Sequence, residues 1–340
     1  MSTFFITGGA GFIGSAFIKL LLEQKPSCEI VNYDALTYAG NLDNLSGLDT
    51  TRHRFVHGDI TDASAVLEAL PENCDAIINF AAESHVDRSI NSAAEFLTTN
   101  VIGTQVLLDA ARERRVPRFL QISTDEVMGS LNDDASAYFT ERSHFAPNSP
   151  YAASKAAAEH LVRAAHHTFG LDTVITRCGN NYGPFQFPEK FMPLALINAM
   201  NDEPIPVYGD GQNVRDWIFV DDHCRAIQLA LEKGKAGGVY NIGARNERRN
   251  LEVAESILDA LGKPATLIKF VKDRPGHDRR YAIDPTLAES ELGWHPTETW
   301  QTGLQKTIRW YTENPTWIER ARSGAYRDYY KRQYGAEIKS

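Results

Sequence analysis

Cysteine is scarce in this 340-residue chain: Cys28, Cys74, Cys178 and Cys224 lie far apart, with no C-x-x-C pair among them. That spacing suggests neither a zinc site nor a disulfide framework, so no metal is expected and a reducing cytoplasm fits. No apolar run approaches the ~20 residues of a membrane span. The N-terminus passes directly into a strand, without the basic stretch that opens an export signal. An excess of positive charge is missing too. The net charge of -9 argues against nucleic acid as the main partner, while leaving room for a local anion pocket. There is no internal repeat and no low-complexity tract. What is present is the composition of a soluble globular protein, 43% hydrophobic and 23% charged. The chain is long enough for two lobes, because single cores stop growing near roughly 250 to 300 residues.

The first half alternates strands and helices. Thr3-Phe4-Phe5-Ile6 is a short apolar strand that runs into Thr7-Gly8-Gly9-Ala10-Gly11-Phe12-Ile13-Gly14, and Ser15 to Gln24 then has helical periodicity. Gly8, Gly11 and Gly14 permit a tight turn and close backbone approach, and the helix N-terminus offers free N–H groups to a pyrophosphate. The second strand, Glu29 to Tyr33, ends at Asp34, about 20 residues beyond the last glycine; a carboxylate there suits ribose hydroxyls and repels a 2′-phosphate, which selects NAD over NADP. His57-Gly58-Asp59-Ile60 ends a third strand, where Asp59 either accepts from an adenine amino group or caps a helix. Ala76 to Phe80 is a fourth strand. It opens into Ala81-Ala82-Glu83-Ser84-His85-Val86-Asp87, whose small Ala81 and Ala82 let the loop pack against a cofactor. His85 and Asp87 read as local hydrogen-bonding groups rather than catalysts. A long amphipathic helix follows from about Ala93 to Arg115, with Arg112, Arg114 and Arg115 as its solvated, dipole-favourable end.

The candidate chemistry lies in two stretches. Arg118 to Ser123 reads as a buried parallel strand that delivers Thr124, Asp125 and Glu126 at its carboxyl end, the edge where open α/β sheets bind ligands. Burial and mutual repulsion can hold two adjacent carboxylates at different pKa values, giving one acid and one base; taken alone, the pair also fits the start of a solvated loop. In Ser149-Pro150-Tyr151-Ala152-Ala153-Ser154-Lys155, Tyr151 and Lys155 stand four apart in an Ala-rich helical run and share one face. An ammonium beside a phenol favours the phenolate and prepares it to take a proton from a sugar hydroxyl. An ordinary surface helix has the same pattern.

Thr173 to Arg177 is a sixth strand leading to Cys178-Gly179-Asn180-Asn181-Tyr182-Gly183-Pro184, after which regular alternation gives way to Gly- and Pro-punctuated sequence. Lys190, Arg215, Arg274 and His277 in that region are candidates for charge-assisted contacts to a diphosphate. The expected division is an NAD-binding domain over 1–178 and a mainly substrate-binding lobe over 179–340, with segments at about 215–245 returning to the first. Tyr329-Tyr330-Lys331-Arg332 reads as helix packing.

The Gly-rich turn, Asp34, the Tyr-Lys helix and the carboxylate pair together resemble the extended short-chain dehydrogenase/reductase family and, within it, the dTDP-glucose 4,6-dehydratases. The similarity extends through TGGAGFIG, YDALTYAGNL, FAAESHVDRSI, STDEV, SPYAASKAAAEHLV, TRCGNNYGPFQFPEKF, GQNVRDWIFVDDH and DRPGHDRRYAID. It implies an α/β Rossmann-type doubly wound parallel sheet with a smaller C-terminal substrate-binding lobe, a resident NAD, and a homodimer joined through the long helix and the Tyr helix. It also implies dehydration of a nucleotide-diphospho-glucose to the 4-keto-6-deoxy sugar by oxidation at carbon 4, elimination across carbons 5 and 6, and reduction at carbon 6. Tyr151 would take the 4-hydroxyl proton, Thr124 would hydrogen-bond that oxygen, and Lys155 would orient the cofactor ribose. Glu126 would be the base at carbon 5 and Asp125 the acid at the 6-hydroxyl. The cofactor contacts implied are Gly8, Gly11, Phe12, Ile13, Gly14, Asp34, Thr37, Asp59, Ile60, Ala81, Ala82, Thr99, Tyr151, Lys155 and Asn181. Those to substrate are Ser84, Thr124, Asn180, Lys190, Pro206, Tyr208, Arg215, Asn250, Arg274 and His277. UDP-glucose as substrate, and an epimerase or decarboxylase on the same scaffold, stay open beside this reading, as does a non-catalytic NAD-sensing protein. Two positions depart from the family pattern: Met128 stands where a Tyr is usual, touching the expected sugar pocket, and Gly179 where Ser is common.

Overall fold

The computed structural model describes residues 2–132, 134 and 136–323; the Tyr329–Arg332 segment lies outside them. Six apolar runs of the first half form β1 (Ser2–Thr7), β2 (Cys28–Asp34), β3 (His53–His57), β4 (Ala76–Asn79), β5 (Arg118–Thr124) and β6 (Thr173–Cys178). They are linked by α1 (Phe12–Gln24), α2 (Ala63–Ala69), α3 (Val86–Asn91), α4 (Ala93–Phe96), α5 (Thr104–Glu113) and α6 (Pro150–Phe169). The second half contributes β7 (Asn180–Tyr182), α7 (Phe191–Met200), β8 (Ile205–Tyr208), β9 (Val214–Phe219), α8 (Val220–Lys233), β10 (Gly238–Ile242), β11 (Glu247–Arg249), α9 (Asn250–Leu261), β12 (Ile268–Val271), α10 (Trp300–Glu313) and α11 (Pro315–Ala321).

One seven-stranded sheet has the order β10-β6-β5-β4-β1-β2-β3, parallel at every pairing. β1, β5 and β6 are buried along almost their whole length, as strands covered on both faces must be. One face packs on α1 and α8 around Phe17, Leu21, Ile227 and Trp294, the other on α2, α5 and α6 around Leu107, Ala111 and Val162. Strand order reverses at β1 and β4, and the carboxyl ends there open the crevice in which such sheets bind ligands. β10, from the second half, adds the last strand of this sheet beside β6.

A second core gathers Tyr182, Trp217, Phe219, Trp300, Tyr311 and Trp317 between the small sheets β11-β9-β7 and β12-β8 and helices α7, α9, α10 and α11. Its final helices are anchored twice: Tyr311 donates to the Gln186 carbonyl at 2.6 Å within the second half, and the Trp317 indole reaches back to the first, to Asn44 Oδ1 at 2.9 Å. The four thiols are all buried, and among the described residues no helix is long and apolar enough to cross a membrane.

The expected long helix from Ala93 is helical but not uniformly α. Between α4 and α5 the chain takes π-helical geometry over Leu97–Gly103. The wide turn lets the Asn100 side chain hold both the Glu83 N–H and its carbonyl at 2.9 Å and donate to Ser154 Oγ at 2.8 Å. Its basic end is not simply solvated either. The Arg112 guanidinium lies 3.5 Å from the centroid of the Phe169 ring and Arg114 donates to the Leu67 carbonyl at 3.0 Å, because stacking and an unpaired helix carbonyl are both within reach.

Candidate active site

The Gly-rich turn forms a cradle that side chains would fill. Gly8 has φ +70°, and a Cβ there would stand 2.5 Å from the Ala81 nitrogen; one on Gly14 would stand 2.3 Å from the Gly8 carbonyl oxygen. α1 begins with no side-chain cap and no acidic residue in its first turn, so its amino end faces the crevice with free N–H donors. Asp34 closes the far side. Its two oxygens each accept one backbone N–H, from Ala10 at 2.9 Å and Leu36 at 2.8 Å, leaving lone pairs for ribose hydroxyls. Burial pushes its carboxyl above the ordinary value. Asp59 accepts from Thr61 N and Oγ1, and the cap of α2 belongs to Asp62. These groups fit a dinucleotide with an unphosphorylated adenosine ribose.

The cavity between the two halves has a volume of about 340 Å³, within the usual range of roughly 300 to 1,000 Å³ for ligand pockets. The nucleotide end of its wall carries Gly8, Gly11, Phe12, Ile13, Gly14, Asp34, Thr37, Asp59 and Ile60, while Ala81, Ala82, Ser84 and Thr99 line the middle. At the other end stand Thr124, Asp125, Glu126, Tyr151, Lys155, Asn180, Asn181 and Lys190.

Helix α6 positions the phenol and the ammonium. The Ser149 hydroxyl caps its start by accepting from Ala152 N, Pro150 occupies the first turn, and Gly170 at φ +70° ends it. Tyr151, Lys155 and Glu159 then fall on one buried face. Lys155 Nζ donates to the Ile122 carbonyl at 2.7 Å, and burial lowers its pKa to about 8. Tyr151 is held well above the usual phenol value by burial and then by the Glu126 carboxylate, against a hydrogen bond from Thr124.

The end of β5 turns into a single 3-10 turn, Asp125–Met128, capped by the Thr124 hydroxyl accepting from Glu126 N at 3.3 Å. The turn gives the two carboxyls different surroundings. Asp125 is 1% exposed, and its Oδ2 has no hydrogen-bond partner. Burial, then Glu126, push it well above the ordinary range. Glu126 is also raised by burial, but Arg274, Lys190 and Arg215 pull it back. Burial thus favours the protonated form at Asp125, while the three cations oppose it at Glu126.

The three cations around Glu126 come from separate segments. Lys190 donates to the Ser84 carbonyl at 2.6 Å. Arg215 donates to the carbonyls of Val214 and Asp278 at 2.7 and 2.9 Å and lies over the Tyr281 ring at 4.2 Å. Arg274 pairs with Asp87 at 3.2 Å. His277 bonds Asp273 at 2.6 Å and meets Tyr208 edge-on; burial, then Arg274, lower its pKa to about 4, so it is neutral at pH 7.

The family model for GDP-mannose 4,6 dehydratase matches residues 5–307. A dTDP-glucose 4,6-dehydratase of Xanthomonas campestris is 50% identical over 347 residues, 96% of this chain and 98% of the relative. The chain belongs to the dTDP-glucose 4,6-dehydratase family. Among solved structures, DesIV of Streptomyces venezuelae, a member of this family with NAD bound, is 49% identical with a TM-score of 0.91, covering 94% of this chain and 99% of that one. A UDP-glucose 4-epimerase of Thermotoga maritima, 27% identical over 92% of this chain and 99% of that one, gives 0.85, so the scaffold is shared with epimerases.

Against the family pattern, Met128 does not reach the sugar pocket. It is 2% exposed in a separate core with Val127, Phe139, Ala156, Tyr281 and Ile283, and its sulfur accepts from Arg177 at 3.8 Å. The 3-10 turn directs it behind the site. At Gly179 a Cβ would stand 2.6 Å from the Asp216 carbonyl oxygen, so a serine there would require β9 to shift. Six expected substrate contacts do not line the cavity: Pro206 is buried within β8, paired to Lys269, Asn250 starts α9 with its N–H on the Asn213 carbonyl, and Tyr208, Arg215, Arg274 and His277 lie outside its wall, although Arg215 and Arg274 act on Glu126. Sequence reasoning passed over Glu159, which accepts from Ser123 Oγ at 2.5 Å and pairs with Arg177 at 2.7 Å. Its signal was available as the next i+4 step after Tyr151 and Lys155. It also passed over His223, whose Nδ1 bonds Asn181 Oδ1 at 2.9 Å.

Proposed function

We propose that the chain is an NAD-dependent dTDP-glucose 4,6-dehydratase, a hydro-lyase that converts the sugar nucleotide to its 4-keto-6-deoxy form. The observation that carries this is the Asp125–Glu126 pair beside Tyr151: one carboxyl buried with an unpartnered oxygen, its neighbour held under three cations. Epimerisation at carbon 4 asks for the phenol alone, whereas loss of water asks for a base at carbon 5 and an acid at carbon 6. Oxidised NAD, held by the glycine cradle, Asp34 and Lys155, would supply the two-electron acceptor and a positively charged ring. Tyr151 takes the 4-hydroxyl proton while Thr124 bonds the same oxygen. With a ketone at carbon 4, the carbon 5 proton becomes acidic enough for Glu126. Asp125 gives its proton to the 6-hydroxyl as water leaves. Lys190, Arg215, Arg274, Tyr208, Ser84, Asn180 and neutral His277 hold the nucleotide diphosphate.

A homodimer is supported by the exposed apolar side chains Ile90, Leu97 and Ile102 on the helices that precede α5, and a cytoplasmic setting by four buried, unbridged thiols. The function is tested by incubating the purified protein with dTDP-, UDP-, GDP- and CDP-glucose. A 4-keto-6-deoxy product, formed with the highest kcat/KM from dTDP-glucose, is expected. Formation of a 4-epimer without loss of water would overturn the reading.

A further inference from the structure

Asp87, in the first turn of α3, is 6% exposed, yet each of its carboxylate oxygens is engaged by a residue more than a hundred positions away. Tyr208, at the end of β8, donates its hydroxyl to Oδ2 at 3.0 Å. Arg274, beyond β12, donates Nη1 to Oδ1 at 3.2 Å. The ion pair is largely shielded, with side-chain exposures of 17% for Arg274 and 8% for Asp87. Arg274 Nε, however, is buried and has no partner. A buried guanidinium donor without an acceptor is unfavourable unless a ligand supplies one. The neighbourhood is cationic and suited to an anion: Arg274 acts on Glu126, Lys190, Arg215 and His277.

We infer that Asp87 is a positioning residue for the nucleotide diphosphate: it fixes Arg274 and Tyr208, both from the second half of the chain, against α3, leaving the remaining Arg274 donors to the phosphate oxygens. This rests on the reading of Arg274 and Tyr208 as substrate contacts. A carboxylate close to a diphosphate repels it unless a cation stands between them, and Arg274 is that cation. Fixing the guanidinium beforehand removes the ordering cost that binding would otherwise bear.

The test compares KM and kcat for dTDP-glucose, and the Kd of dTDP alone, in the full-length protein and in Asp87→Asn, Arg274→Gln and the double variant. Asp87→Asn is expected to raise KM and Kd about 10-fold to 100-fold, the loss of one charge-assisted contact, with kcat at saturation within about 3-fold. The double variant is expected to bind no more weakly than Arg274→Gln alone, because Asp87 acts through Arg274. Asp87→Glu, which keeps the buried negative charge but displaces it by a methylene, is measured beside Asp87→Asn and is also expected to raise KM and Kd. If Arg274→Gln weakens binding while the Asp87 variants do not, or if they lower only kcat, the positioning role is overturned and the substrate reading stands. If Arg274→Gln changes neither KM nor Kd, the substrate reading of Arg274 falls, and the inference with it.

Discussion

Asp125 and Glu126 are chemically near-identical neighbours, and only their environments separate them. The 3-10 turn buries one with an unpartnered oxygen and presents the other to three cations. Their roles are therefore open to exchange in principle, and a substrate can tell them apart. Asp125→Asn removes the proton for the departing 6-hydroxyl, so turnover of the glucose substrate is expected to fall by roughly 10²-fold to 10⁴-fold. A substrate with fluoride at carbon 6, which leaves without a proton, should recover much of that loss. Glu126→Gln removes the base: the same drop is expected, without rescue by fluoride and with loss of solvent deuterium incorporation at carbon 5. Rescue of Glu126→Gln and not of Asp125→Asn would reverse the assignment. The residue types and their place at a strand end are legible in the sequence; which carboxyl is the acid is not, because that depends on Arg274, Arg215 and Lys190, brought in from distant segments.

Among the elements, β5, α6 and β6 act as one unit. Glu159, two helical turns below Tyr151, accepts from Ser123 of β5 and binds Arg177 of β6, each side chain of the ion pair being 4% exposed or less. Removing one partner of such a pair leaves a buried charge unmatched, while replacing both with apolar groups is far less harmful. Glu159→Met is thus expected to cost about 3 to 5 kcal/mol of unfolding free energy, and the Glu159→Met/Arg177→Met double variant less than the single one, by chemical denaturation. A double variant as unstable as the sum of both singles would show that the pair is not coupled. The strands and the Gly-rich turn are legible because each is local: an apolar run of fixed length, then small residues before a helix. The π-helical stretch at Leu97–Gly103 is not, since what it accommodates is Asn100 reaching Glu83 and Ser154 across the fold. Nor can spacing show that the Lys155 ammonium is bonded to the Ile122 carbonyl.

At the scale of the whole molecule, the contacts joining the two halves escape any reading by motif, Asp87 with Tyr208 and Arg274 and Trp317 with Asn44, and so does the bond of His223 of α8 to Asn181 at the cavity wall. His223 also sets a pH dependence of stability. It is fully buried; Nδ1 carries the proton that the Asn181 side-chain oxygen accepts, and Nε2 has no partner among the described residues to accept a second one, which favours the neutral ring. Burial lowers its pKa to about 3, whereas in the unfolded chain it titrates near 6.5. Between those values the unfolded chain binds the extra proton and the folded one does not, so this group's stability is fully present above about 6.5 and is lost as pH falls, by about 1.4 kcal/mol per pH unit. The raised carboxyl of Asp216, pushed by burial to about 6, works in the opposite sense over an overlapping window, because there the folded chain holds the extra proton. The total stability curve therefore mixes the two signs, and a difference measurement separates them. The gap in unfolding free energy between the wild type and His223→Gln is expected to move against the wild type by about 2 kcal/mol from pH 7 to pH 5, read from denaturant curves at each pH. Whatever His223→Gln costs in packing is the same at both pH values and drops out of that change. Parallel stability curves for the two proteins across this range would show that His223 takes up its proton in the folded state, and the neutral ring behind Asn181 would have to be abandoned.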